Sequence, residues 1–124
     1  MPTKPKILII EDDTFLSGLY STKFNMEGFE VFSAVDGEKG LKLAKEKLPA
    51  LILLDIILPV KDGFEVLREL QKDANTKTIP VILLTNLSQK EDVNKGLQQG
   101  AVDYLIKAHF MPSEVVEKAK KYIK

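Results

Sequence analysis

Acidic side chains stand directly after two apolar runs of this sequence. Lys6–Ile10 (KILII) leads into Glu11 and Asp12, and residues 50–54 (ALILL) lead into Asp55. An uninterrupted apolar run bounded by turn residues is typical of a strand buried on both faces of a sheet. Because an unpaired charge is costly inside such a strand, we expect Asp55 at its carboxyl end. Taken alone, Asp55 is either an aspartate that accepts loop amide hydrogen bonds or a nucleophile or metal ligand.

Polar side chains also follow two further predicted strands. Residues 79–84 (IPVILL) precede Thr85 and Asn86, and Asp103–Ile106 (DYLI) precedes Lys107. The carboxyl ends of parallel strands meet at one edge of an open α/β sheet, which is where such sheets bind ligands. We therefore expect all these groups to face one crevice.

The charges in this crevice indicate a type of chemistry. Carboxylates a few ångströms apart repel by several kcal/mol at an effective dielectric constant of about 20, so a proton or a cation must neutralise them. Oxygen ligands without histidine or cysteine favour Mg²⁺. Lys107 could balance the negative charge of a transferring phosphoryl group, and Thr85 could donate a hydrogen bond to one of its oxygens. Asp55 would then be the nucleophile, and an acyl phosphate the product.

The elements that must position these groups alternate between strand and helix five times. This order predicts an α/β fold, a doubly wound five-stranded parallel sheet with helices on both faces. The continuous apolar strands should be central and the mixed ones at the edges, which favours the flavodoxin-like strand order 2-1-3-4-5. The predicted strands are Lys6–Ile10, residues 29–33, the strand ending at Asp55, residues 79–84 and Asp103–Ile106.

Helix boundaries are predicted from capping residues and breakers. Asp13 is interpreted as a residue of the first helix start rather than as a metal ligand. The first helix is predicted from Thr14 as its cap to Gly28 as its end, and the second over residues 37–48, before Pro49. The third is predicted to start near Gly63. The fourth has a capping box of Ser88 and Glu91 and ends at Gly100, and the fifth has Pro112 in its first turn.

Composition excludes several functional classes. The 124 residues contain 18 basic and 18 acidic side chains, so net charge does not indicate nucleic acid or an anionic membrane as a partner. There is no cysteine, and His109 is the one histidine, which we expect to be exposed and uninvolved. The lysines of residues 118–124 are interpreted as the solvated face of the last helix.

The same data predict the organisation of the chain. No segment is apolar over the length of a signal peptide or a membrane span, which predicts a soluble, cytoplasmic protein. We expect one domain over residues 1–124, with residues 1–5 as a loose tail. We also expect no DNA-binding or enzymatic segment after Lys124.

Four segments together resemble the receiver domain of bacterial two-component response regulators, of the stand-alone chemotaxis-regulator type. They are KILIIEDD, LILLDIILPVKDG, VILLTN and GAVDYLIK, and the resemblance covers essentially the whole chain. The family positions fall on the acidic pair Glu11 and Asp12, the phosphoacceptor Asp55, the switch hydroxyl Thr85, the switch aromatic Tyr104 and the lysine Lys107.

The resemblance implies a phosphorelay function. Asp55 would accept a phosphoryl group from a histidine kinase or a histidine phosphotransfer protein. Glu11, Asp12, Asp55 and the backbone carbonyl of Ile57 would hold Mg²⁺. Thr85 would move toward the phosphoryl oxygens, and Tyr104 would then fill or vacate the space behind it. The output would be a changed protein-binding surface on the fourth helix, fifth strand and fifth helix.

Three other functions compete with a phosphorelay receiver. A Mg²⁺-dependent phosphatase of the haloacid dehalogenase type needs a second aspartate two residues after the nucleophile, and that position is Ile57. A flavin-binding module would need a phosphate loop rich in glycine and hydroxyls after the first strand, where this chain has EDDTF. A degenerate receiver that only binds proteins is disfavoured by the intact set of site residues.

The sequence also departs from the family pattern after the lysine. The family usually has a proline there, joined by a cis bond, whereas this chain has Ala108 and a loop that is one residue longer. Because a cis bond before a non-proline residue costs about 2.5–4 kcal/mol, we predict a trans bond between Lys107 and Ala108. We expect the extra length to re-aim Lys107 toward Asp55.

A second departure concerns access to the phosphoryl group. By the family pattern, residues 57 and 87 rim the path of the water that hydrolyses the acyl phosphate, and here they are the apolar Ile57 and Leu87. Asn86 replaces a smaller residue at the same entrance, although its amide could instead donate to the phosphoryl group. We predict slow self-dephosphorylation and no enzymatic turnover of other substrates.

Overall fold

Five parallel strands form one sheet in a computed structural model that describes residues 4–86, 90–107 and 111–123. The strand order is β2-β1-β3-β4-β5, which confirms the predicted doubly wound arrangement. The strands are β1 (Lys6–Ile10), β2 (Glu30–Ala34), β3 (Leu51–Asp55), β4 (Val81–Thr85) and β5 (Asp103–Ile106). The helices are α1 (Thr14–Met26), α2 (Gly37–Lys47), α3 (Gly63–Lys72), α4 (Lys90–Gln98) and α5 (Pro112–Lys120).

The apolar content of each strand explains its place in the sheet. All residues of β3 and β4 are buried, and so are four of the five residues of β1. The mixed strands β2 and β5 lie at the two edges, as predicted from their sequences. Strands covered by helices on both faces need apolar side chains in both directions, whereas edge strands tolerate polar ones.

Alternate side chains along the strands enter two separate cores. One core lies between the sheet and α2 and α3, where Leu8 and Leu54 pack against helix residues such as Leu67. The other lies between the sheet and α1 and α5, where Ile9 packs with Phe24 and other residues. None of the helices within the described ranges is long and apolar enough to cross a lipid bilayer.

Two predicted boundaries of the first half differ from the structure. The cap of α1 is Asp13 rather than Thr14, because the Asp13 carboxylate accepts a hydrogen bond from the Leu16 N–H. Strand β2 begins at Glu30, one residue later than predicted. Phe29 instead follows the turn at Gly28, which has a φ of 93°, and its ring packs edge-on against Phe24.

Differences in the second half have similar local causes. Strand β4 begins at Val81 because Pro80 has no N–H to donate to a neighbouring strand. The predicted start of α3 at Gly63 and the predicted range of β5 agree with the structure. The capping box at Ser88, the bond between Lys107 and Ala108, and His109 all lie outside the described residues.

Candidate functional site

Asp55 is the last residue of β3 and lies at the carboxyl edge of the sheet, as predicted. Its side chain is only 6% exposed, yet both carboxylate oxygens have partners. Oδ2 accepts a hydrogen bond from Nζ of Lys107 at 2.8 Å, and Oδ1 accepts one from the backbone N–H of Ile57 at 3.2 Å. These two donors fix the orientation of the carboxylate and stabilise its charge.

Glu11 lies directly beside Asp55 and is fully buried, so it is not a surface charge. Its Oε1 atom lies 2.7 Å from Nζ of Lys107 in an ion pair without hydrogen-bond alignment, and Oε2 accepts from the Asp13 N–H. Burial and the neighbouring Asp55 raise the pKa of Glu11 to about 7, although Lys107 acts in the opposite direction. A cation at this point would therefore favour the ionised form.

Lys107 pairs with both buried carboxylates. Burial on its own would lower the pKa of the Lys107 ammonium. The hydrogen bond to Asp55 and the charge interactions with Asp55 and Glu11 outweigh burial, and they raise that pKa above its ordinary value. Lys107 is therefore a permanent cation in this crevice, and the predicted orientation toward Asp55 is present.

Glu11, Asp12 and Asp55 form the acidic cluster. One carboxylate oxygen from each residue lies within 4.8 Å of the others, and Asp12 is exposed while the other two are buried. With all three ionised, the single charge of Lys107 leaves an excess of negative charge. A cluster of oxygen ligands with one solvent-facing member fits a hydrated Mg²⁺ ion. The Ile57 carbonyl stays a predicted ligand, since the structure assigns its N–H rather than its carbonyl to this site.

The remaining predicted residues lie around a cavity of about 300 Å³ between β5 and α4. Thr85 is buried at the end of β4, and its hydroxyl donates to the carbonyl of Asn86 at 3.2 Å. Tyr104 lies on the edge strand and is 37% exposed. The cavity is lined by Thr85, Asn86, Lys90, Val93, Asn94, Tyr104 and Ile106. Leu87 lies outside the described residues.

Two glycines that support the site were not identified as such from the sequence. A Cβ atom on Gly63 would overlap the carbonyl oxygen of Asp55, so α3 can begin against the end of β3 only with glycine at this position. A Cβ atom on Gly37 would overlap the carbonyl oxygen of Lys61. The start of α2 thus holds the loop that follows Asp55. The breaker pattern indicated Gly63, but no sequence signal indicated the Gly37 contact.

Val60 gives this loop an unusual backbone conformation. It has a φ of 70°, and the Lys61 N–H donates to the Pro59 carbonyl at 2.7 Å across it. A three-residue turn with positive φ at its centre is rare, and it is disfavoured for a β-branched residue. The Gly37 N–H donates to the same Pro59 carbonyl at 3.4 Å. Sequence rules place glycine or asparagine in such a turn, so they gave no indication of this one.

Comparison with known proteins agrees with this arrangement. A family model, the response regulator receiver domain, matches residues 7–120. The chain belongs to this family. The matched range contains the acidic cluster, Thr85, Tyr104 and Lys107, so the family assignment and the geometry concern the same part of the molecule.

Curated relatives of this receiver domain include longer regulators. The DNA-binding dual master transcriptional regulator RpaA of Synechocystis is 48% identical over 103 residues, which cover 83% of this chain and 43% of that protein. The response regulator PleD of Caulobacter vibrioides is 41% identical over 102 residues, 82% of this chain and 22% of that protein. The chain thus spans less than half the length of these relatives.

Solved receiver domains superpose closely on this fold. The chemotaxis protein CheY4 of Vibrio cholerae has a TM-score of 0.89 and 26% identity, covering 98% of this chain and 100% of that one. The receiver domain of the sensor histidine kinase PA1611 of Pseudomonas aeruginosa has a TM-score of 0.87 and 28% identity, covering 97% and 98%. That structure is described with a magnesium ion coordinated in its active site cleft.

Proposed function

We propose that this receiver domain accepts a phosphoryl group on Asp55. The observation that carries the proposal is the position of the Asp55 carboxylate, which lies at the open end of β3 in contact with Lys107. The acidic cluster, of which Asp55 is a member, could hold a divalent cation. A carboxylate, a fixed cation and a possible metal-binding cluster lie in this one crevice, which is the combination of groups that phosphoryl transfer uses.

The transfer step uses groups that the structure already orients. An oxygen of Asp55 attacks the phosphorus of a phosphohistidine, a P–O bond forms and the P–N bond breaks. The bonding electron pair leaves with the imidazole nitrogen of the donor. The Lys107 ammonium balances the charge that develops on the phosphoryl oxygens. The Ile57 N–H keeps the carboxylate from rotating during the attack.

Mg²⁺ is the cofactor that the cluster fits best. Glu11, Asp12 and Asp55 would hold it, with the Ile57 carbonyl as a further ligand. A bound Mg²⁺ would neutralise the carboxylates and the incoming phosphoryl oxygens. The magnesium ion described for the PA1611 receiver domain supports this assignment.

The phosphoryl group would change the protein through Thr85 and Tyr104. New oxygens on Asp55 would draw the Thr85 hydroxyl away from the Asn86 carbonyl, its present acceptor. The cavity between β5 and α4 has room for the ring of Tyr104 to follow. Such a movement would reshape the surface of α4, β5 and α5, which we propose as the binding surface for a downstream protein.

The partners follow from this chemistry. The donor would be a histidine kinase or a histidine phosphotransfer protein, acting in the cytoplasm. RpaA is a DNA-binding regulator by name. We propose that the receiver domain described here does not itself contact nucleic acid, because its basic and acidic side chains are equal in number.

Enzymatic turnover is not part of the proposed function. A phosphatase with an aspartyl nucleophile would use a second aspartate two residues after the first, and Ile57 occupies that position. We propose that the chemistry is limited to uptake of one phosphoryl group and its slow hydrolytic loss.

A labelling experiment tests the proposal. Incubation with a small phosphodonor and Mg²⁺ should add the mass of one phosphoryl group to the wild type. Asp55→Asn should take up none, because an amide oxygen is a poor nucleophile. Asp13→Asn is the matched control, since asparagine also caps a helix and this variant should label normally. Equal labelling of Asp55→Asn and the wild type would refute the proposal.

A further inference from the structure

The ring of Tyr104, on the edge strand β5, is contacted by a lysine from α5. Nζ of Lys118 lies 5.6 Å from the centroid of that ring and 3.2 Å from Oδ1 of Asp103. A cation within about 6 Å of an aromatic centroid is attracted by the ring electrons. Lys118 therefore contacts both a carboxylate and the aromatic residue that the proposed switch uses.

The carboxylate of Asp103 is itself fixed by further hydrogen bonds. Its Oδ2 accepts from the hydroxyl of Tyr122 at 2.6 Å, and its Oδ1 accepts from the Tyr104 N–H at 2.8 Å. With Lys118 on Oδ1 as well, the carboxylate is bound on both oxygens. Lys118 and Tyr122 are four residues apart in or just after α5, so both can reach one acceptor.

The position of β5 makes the lysine contact depend on the direction of the ring. Side chains alternate along a strand, so Asp103 lies on the α5 face and Tyr104 on the α4 face. Lys118 reaches the ring around the free edge of β5, the last strand of the sheet. The same ring also lines the cavity beside Thr85. A ring turned into that cavity would move away from the ammonium group.

We propose that Lys118, positioned by Asp103 and Tyr122, holds Tyr104 at the outer edge and so sets how readily the ring enters the cavity. The inference rests on the proposed function, in which Tyr104 is the switch residue. Lys118 is a positioning residue here, because it acts through Tyr104 and not on the phosphoryl group. An exposed cation–aromatic contact corresponds to roughly a two- to five-fold change in an equilibrium ratio.

Fluorotyrosine NMR on the unphosphorylated chain tests the inference. The three tyrosine signals are assigned with tyrosine-to-phenylalanine variants, and the Tyr104 signal reports the balance between outer and inner positions. Lys118→Met keeps a long side chain but removes its charge. This substitution should raise the ratio of inner to outer ring positions by about two- to five-fold. Tyr122→Phe should shift it in the same direction by less. Lys118→Arg should restore the wild-type signal, since arginine can both pair with Asp103 and stack on the ring.

Lys121→Met is the matched control. It lies next to α5, and in the described part of the chain its side chain makes no ion pair. The inference is overturned if Lys118→Met leaves the Tyr104 signal as in the wild type, or if Lys121→Met shifts it equally. Because this measurement uses unphosphorylated protein, it is independent of the labelling of Asp55. Normal labelling with an unmoved ring would refute the inference alone, and failed labelling would refute the proposed function.

Discussion

Lys107 and Asp55 are 52 residues apart in sequence, yet Nζ of the lysine lies 2.8 Å from Oδ2 of the aspartate. Lys107 directly follows β5 and Asp55 is the last residue of β3, and β4 lies between these two strands. The lysine side chain thus reaches across the carboxyl end of a whole strand. It brings its charge to two buried carboxylates that would otherwise repel each other.

Loss of this charge should destabilise the fold. We expect Lys107→Met to lower the free energy of unfolding by about 1–3 kcal/mol, because Asp55 and Glu11 lose a buried ionic partner. Urea denaturation measures the effect. Lys121→Met should change stability by less than about 0.5 kcal/mol, as is usual for an exposed site. An unchanged unfolding midpoint for Lys107→Met would show that the ion pairs do not stabilise the site.

Gly37 and Gly18 provide a contrasting pair of alanine substitutions. A Cβ atom on Gly37 would overlap the loop after Asp55, whereas one on Gly18 would meet no atom within 4 Å. We expect Gly37→Ala to destabilise the protein by about 1–3 kcal/mol through overpacking. Gly18→Ala, inside α1, should stabilise it by about 0.5–1 kcal/mol. Thermal unfolding of the two variants checks both signs, and stabilisation by Gly37→Ala would contradict the loop contact.

The lifetime of the phosphorylated form should depend on the rim of the cleft. Ile57 is 60% exposed next to Asp55, and it has no group that could orient a water molecule. We expect Ile57→Asn and Leu87→Glu each to speed phosphate loss, by roughly ten-fold for each 1.4 kcal/mol taken from the barrier. Loss of label after removal of the phosphodonor measures the rate. If neither substitution speeds it, this rim does not set the lifetime.

Asp103 should make stability depend on pH in the acidic range. Burial raises the pKa of its carboxyl. Hydrogen bonds from Tyr122, the Tyr104 N–H and Lys118 outweigh burial and hold the pKa below the ordinary value of 3.8. The unfolded chain, with the ordinary value, binds a proton first as pH falls. The contribution of Asp103 is therefore present above the ordinary pKa and is lost as pH falls through the folded-state value.

A comparison with Asp103→Asn tests this dependence. Near neutral pH the variant should be less stable than the wild type in urea denaturation. The difference between them should shrink as the pH is lowered below 3.8. A difference that stays constant as the pH falls well below 3.8 would show that the charge of Asp103 does not contribute.

Strand-end chemistry was predictable because it depends on short segments. The apolar runs predicted β1, β3 and β4, and the polar residue after each run was predicted to face the crevice. The short predicted strand β5 brought Lys107 to the same crevice, and the structure shows this lysine oriented toward Asp55. These features arise from local periodicity and from the general rule that parallel strands end at one edge.

Contacts between distant segments could not be predicted from these patterns. The overlap between Gly37 and the loop at Lys61 depends on how α2 packs, and the left-handed Val60 contradicts local preference. The complete burial of Glu11 also depends on surrounding elements. The cap of α1 is Asp13, although Thr14 was predicted. Aspartate and threonine are both good caps, so local propensity does not decide between them.

Helices α1 and α5 share one core, although one is near the start of the chain and the other near its end. Phe24 and Val116 are both buried in it, and Lys120 pairs with Glu27 at 2.9 Å across the two helices. During translation, the apolar face of α1 leaves the ribosome long before its partner helix has been made. This core can form only after α5 has been made, so we expect the domain to reach its native state as one cooperative unit once α5 is available.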